Sequence, residues 1–447
     1  MTHTTPPWFA PPPPVQTQAT SGHCAIIGGG LAGCWAAYTL SQQGWRTTLL
    51  DKCGIASQAS GNPQGVLQPN PTHGHFPPGD FATQAFLRTL RHLHQLSVEE
   101  PSLIQDLRGV FRPAFSPKME ALQQRLVQQD KWPDLQMMWL SPEQTAEYTG
   151  LPSEQGGLFF PQAGTLSPVQ LCKTLLHIAG TELLVPCTVK RLVHNGSGWT
   201  LLDTSGKSII DSDIVILANG LDALDFSECA SLPLRSVRGQ LTYLPSSQKS
   251  QNQHCTIAGQ VYITPARAGY HILGATFHND DPNPVIDPKH HEENAQGLQK
   301  THPGLARMLL ETTVDSESPD LEKNSYVGKL QGRVAFRCVA ENRLPMVGAL
   351  PNFDMYLERY QDLLKGHRTK NYPEARYHPG LYISLGHGSR GITSACLAAE
   401  HIAAQLTGQP SPLEESGSQA VHPARYLMRH LLKRRLPPFW LSEPSPR

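Results

Sequence analysis

The first sustained apolar run of the chain is His23-Cys24-Ala25-Ile26-Ile27; it breaks at Gly28-Gly29-Gly30 and gives way to an Ala-rich stretch, residues 31 to about 43, closed by Gly44. A short apolar run, a cluster of glycines and a helix-favouring segment predict a buried strand, a tight turn and a helix. Thr47-Thr48-Leu49-Leu50 predicts a second strand that ends in Asp51. Phe81, Ala85, Phe86, Leu90, Leu93 and Leu96 then recur at helical spacing, with Arg88, Arg91, His92 and His94 between them. That pattern is an amphipathic helix over residues 80–98, its histidines on the solvated face. Residues 119–128 and 141–149 read as further helices. Ser167 as N-cap, Pro168 at the first position and Gln170 at the third spell a capping box that starts a helix running to Gly180.

The period then changes. Residues 182–189, 198–203 and 208–211 have strand character, with a turn at Ser205-Gly206-Lys207, and residues 213–220 form an apolar strand ending in Ala218-Asn219-Gly220. Residues 237–243, 261–265 and 270–276 alternate apolar and polar, which predicts an antiparallel sheet in a second domain. Residues 279–325 are polar and punctuated by proline, with one helix around 292–310. A last strand, residues 381–385, runs into Gly386-His387-Gly388-Ser389-Arg390-Gly391 and a helix over 392–406 capped by Gly408. The fold class is therefore α/β: a Rossmann-type dinucleotide-binding domain with a second α+β domain that contains an antiparallel sheet.

Composition narrows the picture by exclusion. Lys and Arg total 37 and Asp and Glu total 37, so no global field argues for nucleic acid or an anionic membrane, although a local basic patch stays open. The nine cysteines are scattered without a C-x-x-C pair and several sit in apolar runs. They read as small buried hydrophobes in a reducing compartment, with no metal site expected. No run approaches the ~20 apolar residues of a membrane helix, and the Pro- and Thr-rich start lacks the regions of a signal peptide. The expectation is a disordered leader over residues 1–22 and a cytoplasmic protein.

Chemistry enters with the first turn. Gly28-x-Gly30-x-x-Gly33, lying between strand and helix, with Asp51 at the end of the next strand 21 residues after Gly30, is a dinucleotide fingerprint in its proper context. Gly28 permits the turn, Gly30 lets the backbone approach a pyrophosphate, Gly33 lets the helix pack on the strand, and Asp51 can accept from a ribose diol. The glycine-rich loop after Asp51 fits either a ligand cover or an ordinary surface loop. Gly386 to Gly391 opens a helix and forms a second anion or dipole site.

These motifs, together with Ala59-Ser60-Gly61-Asn62-Pro63-Gln64-Gly65, Ala218-Asn219-Gly220 and Arg337 followed by Arg343-Leu344-Pro345, resemble the D-amino-acid oxidase and glycine oxidase superfamily of flavoproteins over about residues 23–407. Within it, the Ser60 loop and the GHGSRG segment are most similar to the flavin-dependent half of a bifunctional family of bacterial tRNA-modifying proteins. Asp51 stands where that pattern more often has Glu, and Glu341-Asn342 where Thr/Arg-Asp is familiar. The resemblance implies FAD held by Gly28, Gly30, Leu31, Ala32, Gly33, Asp51, Ser60, Gly61, Asn62, Gln64, Gly65, Val189, Ala218, Asn219, Gly220, Gly388, Ser389, Gly391 and Ile392. It makes Arg337 and Arg390 the catalytic pair that grips a substrate carboxylate, since a guanidinium holds one bidentately. The FAD-binding domain would comprise residues 23–90, 165–235 and 332–408, the substrate domain 91–164 and 236–331, and a basic tail 409–447.

The implied activity is oxidation of a CH–NH group. It would remove the carboxymethyl group of 5-carboxymethylaminomethyl-2-thiouridine at the tRNA wobble position, giving the aminomethyl nucleoside and glyoxylate. Oxygen is the expected oxidant. A stand-alone oxidase is implied, with a separate SAM-dependent methyltransferase as a partner. The alternatives are an oxidase of free glycine or sarcosine and a flavin-binding protein without catalysis. The run Arg425 to Arg435 is basic and helical in spacing, fitting a contact to tRNA phosphates and a packed terminal helix equally well.

Overall fold

The computed structural model describes residues 5–15, 22–74, 76–129, 131–310, 330–368 and 370–436. The chain forms two compact units, one of residues 1–60, 172–235 and 338–447, the other of residues 61–171 and 236–337. The first division between them falls after Ser60, and the described residues 409–436 group with the first unit.

A six-stranded sheet carries the first unit, in the order Met346–Pro351, Tyr377–Leu385, Ile214–Leu217, His23–Ile27, Arg46–Leu50, Glu182–Leu184. Neighbours run parallel from Tyr377–Leu385 to Glu182–Leu184, and Met346–Pro351 is an antiparallel edge. Strands covered on both faces must be apolar on both, which is why they appear as unbroken apolar runs. Ile214–Leu217 is fully buried along its length. Helices Leu31–Ser41 and Gly391–Thr407 pack on each other. Both are buried nearly all round and rich in buried alanine, among them Ala36, Ala37, Ala395, Ala398 and Ala399. Strands Arg191–His194, Trp199–Leu202 and Ser208–Ser212 form a small antiparallel sheet in the crossover that leads to Ile214–Leu217. Residues 185–189, expected to continue a strand, lie outside any strand.

Residues 5–15 are not a disordered leader. Trp8 sets its ring edge-on to Tyr360 and Tyr372, at 5.9 and 6.0 Å, and the Tyr356 and Tyr377 hydroxyls donate to the carbonyls of Trp8 and Ala10. Proline composition alone suggested disorder; proline also lowers the entropy lost when an extended segment is laid on an aromatic surface. Residues 1–4 and 16–21 lie outside the described residues, as do 437–447 of the expected tail and 311–329, which include the end of the expected polar segment.

The second unit holds a nine-stranded sheet centred on Leu234–Pro245, Tyr270–Gly274, Tyr262–Ile263 and Thr256–Ala258, continued by Val110–Pro113, Gly157–Phe160 and Met138–Leu140. The antiparallel pairing expected for 237–243 and 270–276 is present, with Leu241 opposite Gly274; Thr256–Ala258 and Val110–Pro113 pair in parallel. The single helix expected around 292–310 is two, Pro288–Thr301 and Pro303–Leu310, because a proline at 303 cannot donate the hydrogen bond that would continue the first. Ser167 caps the Gln170 amide at 3.2 Å, but the Gln170 side chain turns to Glu100 at 3.1 Å, so half of the expected capping box is made. Among the described residues no helix is long and apolar enough to cross a membrane. All nine cysteines are free, and six are buried.

Candidate functional site

Three strand ends meet at the first glycine turn. Ile27 lies opposite both Leu50 and Leu217, and the ladder continues as the Gly28 amide donates to Leu50 and the Ala218 amide to Ile27, each at 2.8 Å. Gly28 adopts φ +117°, and a Cβ there would stand 2.5 Å from the Ala218 carbonyl oxygen. A Cβ on Gly33 would fall onto the Gly28 carbonyl, so the helix can begin this close to the strand only with glycine. Gly30 provides no side-chain cap. Ser60 supplies one from a separate loop, its hydroxyl accepting the Leu31 amide at 3.1 Å. The Ala32 and Gly33 amides have no intrahelical acceptor and carry the positive end of the helix dipole.

Asp51 is fixed by the backbone around it. Its Oδ2 accepts from Gly29 at 2.7 Å and its Oδ1 from Cys53 and Gly54 at 2.8 Å each. A carboxylate has about four lone-pair positions, so one is left for a ribose hydroxyl. The Cys187 amide donates to the Asp51 carbonyl at 2.8 Å, which ties the segment leading to half-buried Val189 to this strand end. Lys52 and Asp222, not anticipated from sequence, form an ion pair of 2.7 Å; their only signal was position just past a strand end. Asn219 holds a buried side-chain oxygen with no hydrogen-bond partner among the described residues, and Gly220 opens the turn Gly220–Asp225. An orphaned acceptor beside a glycine turn and free helix amides fit a ligand that carries both hydroxyls and phosphates.

The GHGSRG segment is organised by its histidine. The Ser394 hydroxyl donates to the Arg390 carbonyl at 2.8 Å, so it accepts the His387 Nδ1–H, at 2.8 Å; His387 Nε2 then accepts from Ser384 at 3.0 Å. Burial pulls His387 down to about 4, consistent with this neutral tautomer. The Gly388 amide donates to Cys338 at 2.9 Å, Ser389 is exposed, and Gly391 and buried Ile392 begin the helix. Arg390 stands at that helix's N-cap, its pKa lowered first by desolvation and then by the Arg343 cation. Arg343 sits at φ +61° in a turn held through Asn342. The Asn342 amide donates to the Tyr426 hydroxyl at 2.7 Å, that hydroxyl donates to Asn342 Oδ1 at 2.6 Å, and Arg425 donates to Asn342 Oδ1 and the Leu344 carbonyl at 3.0 and 2.8 Å.

The remaining candidates lie in the second unit. Buried Gln64 accepts from the Thr264 hydroxyl at 2.6 Å, Asn62 accepts from Arg333 at 2.8 Å, and Gly65 opens the strand Gly65–Leu67 after Gly61. Arg337 donates to the Thr276 carbonyl at 3.1 Å and lies 5.8 Å from the Phe277 ring centroid. Its guanidinium rests flat on Gly239, where any Cβ would collide with it. Burial lowers its pKa, and burial likewise pushes the nearby Tyr262 hydroxyl up to about 12. Among the described residues no carboxylate pairs with Arg337. Arg333, Tyr243 and Tyr262 were missed by the sequence reading. The usable signal was parity, since Gly239 and Tyr243 share one face of their strand and Arg333 and Arg337 one face of theirs.

The strand, glycine turn, helix and acid define a Rossmann-type dinucleotide-binding protein. More particularly, the family model for DAO, FAD dependent oxidoreductase, matches residues 23–405, and the chain belongs to that family of FAD enzymes. It is 33% identical over 435 residues to the tRNA 5-methylaminomethyl-2-thiouridine biosynthesis bifunctional protein MnmC of Chromobacterium violaceum, covering 97% of this chain and 63% of that protein. To the MnmC protein of Pseudomonas aeruginosa it is 34% identical over 430 residues, covering 96% and 62%. The chain thus spans less than two thirds of the length of these relatives. Among solved structures, glycine oxidase from Geobacillus kaustophilus superposes with a TM-score of 0.68 at 17% identity, covering 91% of this chain and 99% of that one.

Proposed function

We propose that this chain oxidises the glycine-like C–N bond of 5-carboxymethylaminomethyl-2-thiouridine at the wobble position of tRNA. Water addition to the resulting imine releases glyoxylate and leaves the aminomethyl nucleoside. The observation that carries the reading is Arg337, a desolvated guanidinium with no carboxylate partner among the described residues, which a substrate carboxylate would complete. The likeness to proteins named for this tRNA pathway, at 33–34% identity, supports tRNA over a free amino acid as the source of that carboxylate.

FAD, when bound, supplies a two-electron acceptor for the C–H next to the amine. The glycine turn, the free Ala32 and Gly33 amides, Ser60, Asp51 and Asn219 would hold its dinucleotide portion. Gly388 to Ile392 present a helix start that stabilises negative charge. Arg337 orients the carboxylate, and Arg390 offers a second guanidinium at the helix start of its own unit. No general base is assigned, since hydride transfer needs positioning above all. Oxygen as oxidant, a cytoplasmic setting and a separate methyltransferase partner belong to the same proposal.

The test is mass analysis of wobble nucleosides after incubating carboxymethylaminomethyl-containing tRNA with the FAD-loaded protein. Aminomethyl nucleoside and an equivalent of glyoxylate are expected. Persistence of the substrate nucleoside while free glycine or sarcosine is consumed would instead establish the small-amine oxidase.

A further inference from the structure

We infer that the exposed face of helix Arg425–Leu432 and the residues that follow it form a contact surface for the phosphate backbone of a folded RNA. The inference rests on the tRNA reading above and deepens it. Residues 425–435 carry Arg425, Arg429, His430, Lys433, Arg434 and Arg435 and no acid, in a chain whose formal charge is zero. The fold sorts these cations by role. Arg425 is buried, donating to the Val421, His422 and Leu344 carbonyls and to Asn342, and desolvation brings it down to about 10. It is structural. Arg429, Lys433, Arg434 and Arg435 are exposed.

Exposed Arg368 extends the patch, donating to the Leu432 carbonyl at 2.8 Å. Asp362, the acid of that turn, is held by Lys365 at 3.4 Å and Lys370 at 2.6 Å. Among the described residues, none of Arg368, Arg429, Lys433, Arg434 and Arg435 forms an ion pair. Exposed Arg343, in the turn that Arg425 and Tyr426 clasp, carries the charge on towards Arg390.

The geometry favours RNA over a lipid surface. A helix that lies on a membrane must offer an apolar face to the lipid. Here Tyr426, Leu427, Met428 and Leu431 are buried in the first unit's core, and none of the large exposed hydrophobic residues falls in 365–436. What remains is a row of cations on a fixed backbone, the arrangement that displaces counterions from a phosphate chain.

The test uses the full-length, FAD-loaded protein carrying Arg429→Ala, Lys433→Ala and Arg435→Ala together. Flavin content and melting temperature report whether it folds. Affinity for an in vitro transcribed bacterial tRNA, read by fluorescence anisotropy at several KCl concentrations, should weaken about tenfold or more near 0.1 M salt. The slope of log affinity against log salt should shrink by about two to three. The charge-retaining double variant, Arg429→Lys and Arg435→Lys with Lys433 intact, should recover most of both. Unchanged affinity and slope overturn the inference, as does a loss confined to phosphatidylcholine–phosphatidylglycerol vesicles. If the triple variant loses tRNA but the unaltered protein leaves the wobble nucleoside untouched, the surface stands and the proposed reaction falls. If the unaltered protein converts the nucleoside and the variant binds with the same slope, the reverse holds.

Discussion

Arg337 depends on geometry that lysine cannot reproduce. Its planar guanidinium lies flat on Gly239 and reaches the Thr276 carbonyl, leaving its remaining donors for a carboxylate. A lysine at this position brings one compact charge without the two-pronged grip. Arg337→Lys should therefore lower kcat/KM for the carboxymethyl substrate about a hundredfold, mostly through KM; glyoxylate release under steady-state conditions measures it. Gly239→Ala should raise KM about tenfold while the flavin spectrum stays intact, because the new methyl pushes the Arg337 guanidinium out of place. An unaltered KM in Gly239→Ala would mean the guanidinium can yield. At this scale legibility followed locality. Gly28, Gly33 and Asp51 were readable because a turn and the two strands beside it lie within one short stretch. Arg333, Tyr243 and Tyr262 were not, since strands distant in sequence bring them together.

Two serine caps show what element-level signals reveal and what they hide. Ser167 precedes its helix directly and could be read from the sequence; Ser60 caps the fingerprint helix from 29 residues away and could not be read as a cap. Each hydroxyl satisfies an otherwise orphaned amide, so Ser167→Ala and Ser60→Ala should each cost about 1 kcal/mol of stability. Their effects on cofactor should differ. Ser60→Ala frees the first amide of the helix proposed to face the dinucleotide and should speed flavin release on dilution, followed by absorbance, whereas Ser167→Ala should leave release unchanged. Equal release rates would remove Ser60 from the cofactor's surroundings. The half-made capping box belongs to the same lesson: Gln170 had the right spacing, but Glu100, brought close by the fold, competed for its amide.

On the scale of the whole molecule, the two ends of the chain were the least legible parts because their partners are each other's neighbours in space rather than in sequence. Residues 5–15 and helix Arg425–Leu432 both join the first unit's core, which is why removing the tail would strip Tyr426 and Leu427 from it and test nothing about RNA. Buried histidines lock that core in one protonation state. His422 Nδ1 accepts the Ala424 amide at 3.0 Å and its Nε2–H faces the Tyr377 hydroxyl, which in turn donates to Ala10. His401 Nε2 accepts from Gln405 at 3.2 Å, leaving Nδ1–H for Ser411 at 2.9 Å. Protonation would break an acceptor bond in either ring. Burial accordingly pulls His387 and His401 to about 4 and His422 to about 3. An unfolded histidine takes up its proton near pH 6.5, so between about 6.5 and 4 the unfolded chain binds more protons than the folded one. The stabilisation is complete above pH 6.5 and drains away as the pH falls, at up to about 1.4 kcal/mol per pH unit for each histidine. Denaturant midpoints measured from pH 8 down to 4.5 should stay level to about 6.5 and then fall. His422→Gln, which keeps a donor and an acceptor but cannot titrate, should be less stable at pH 8 and lose stability less steeply below 6.5, by about one proton's worth of slope. If its slope matches that of the unaltered protein, His422 is not among the groups that couple this core to pH.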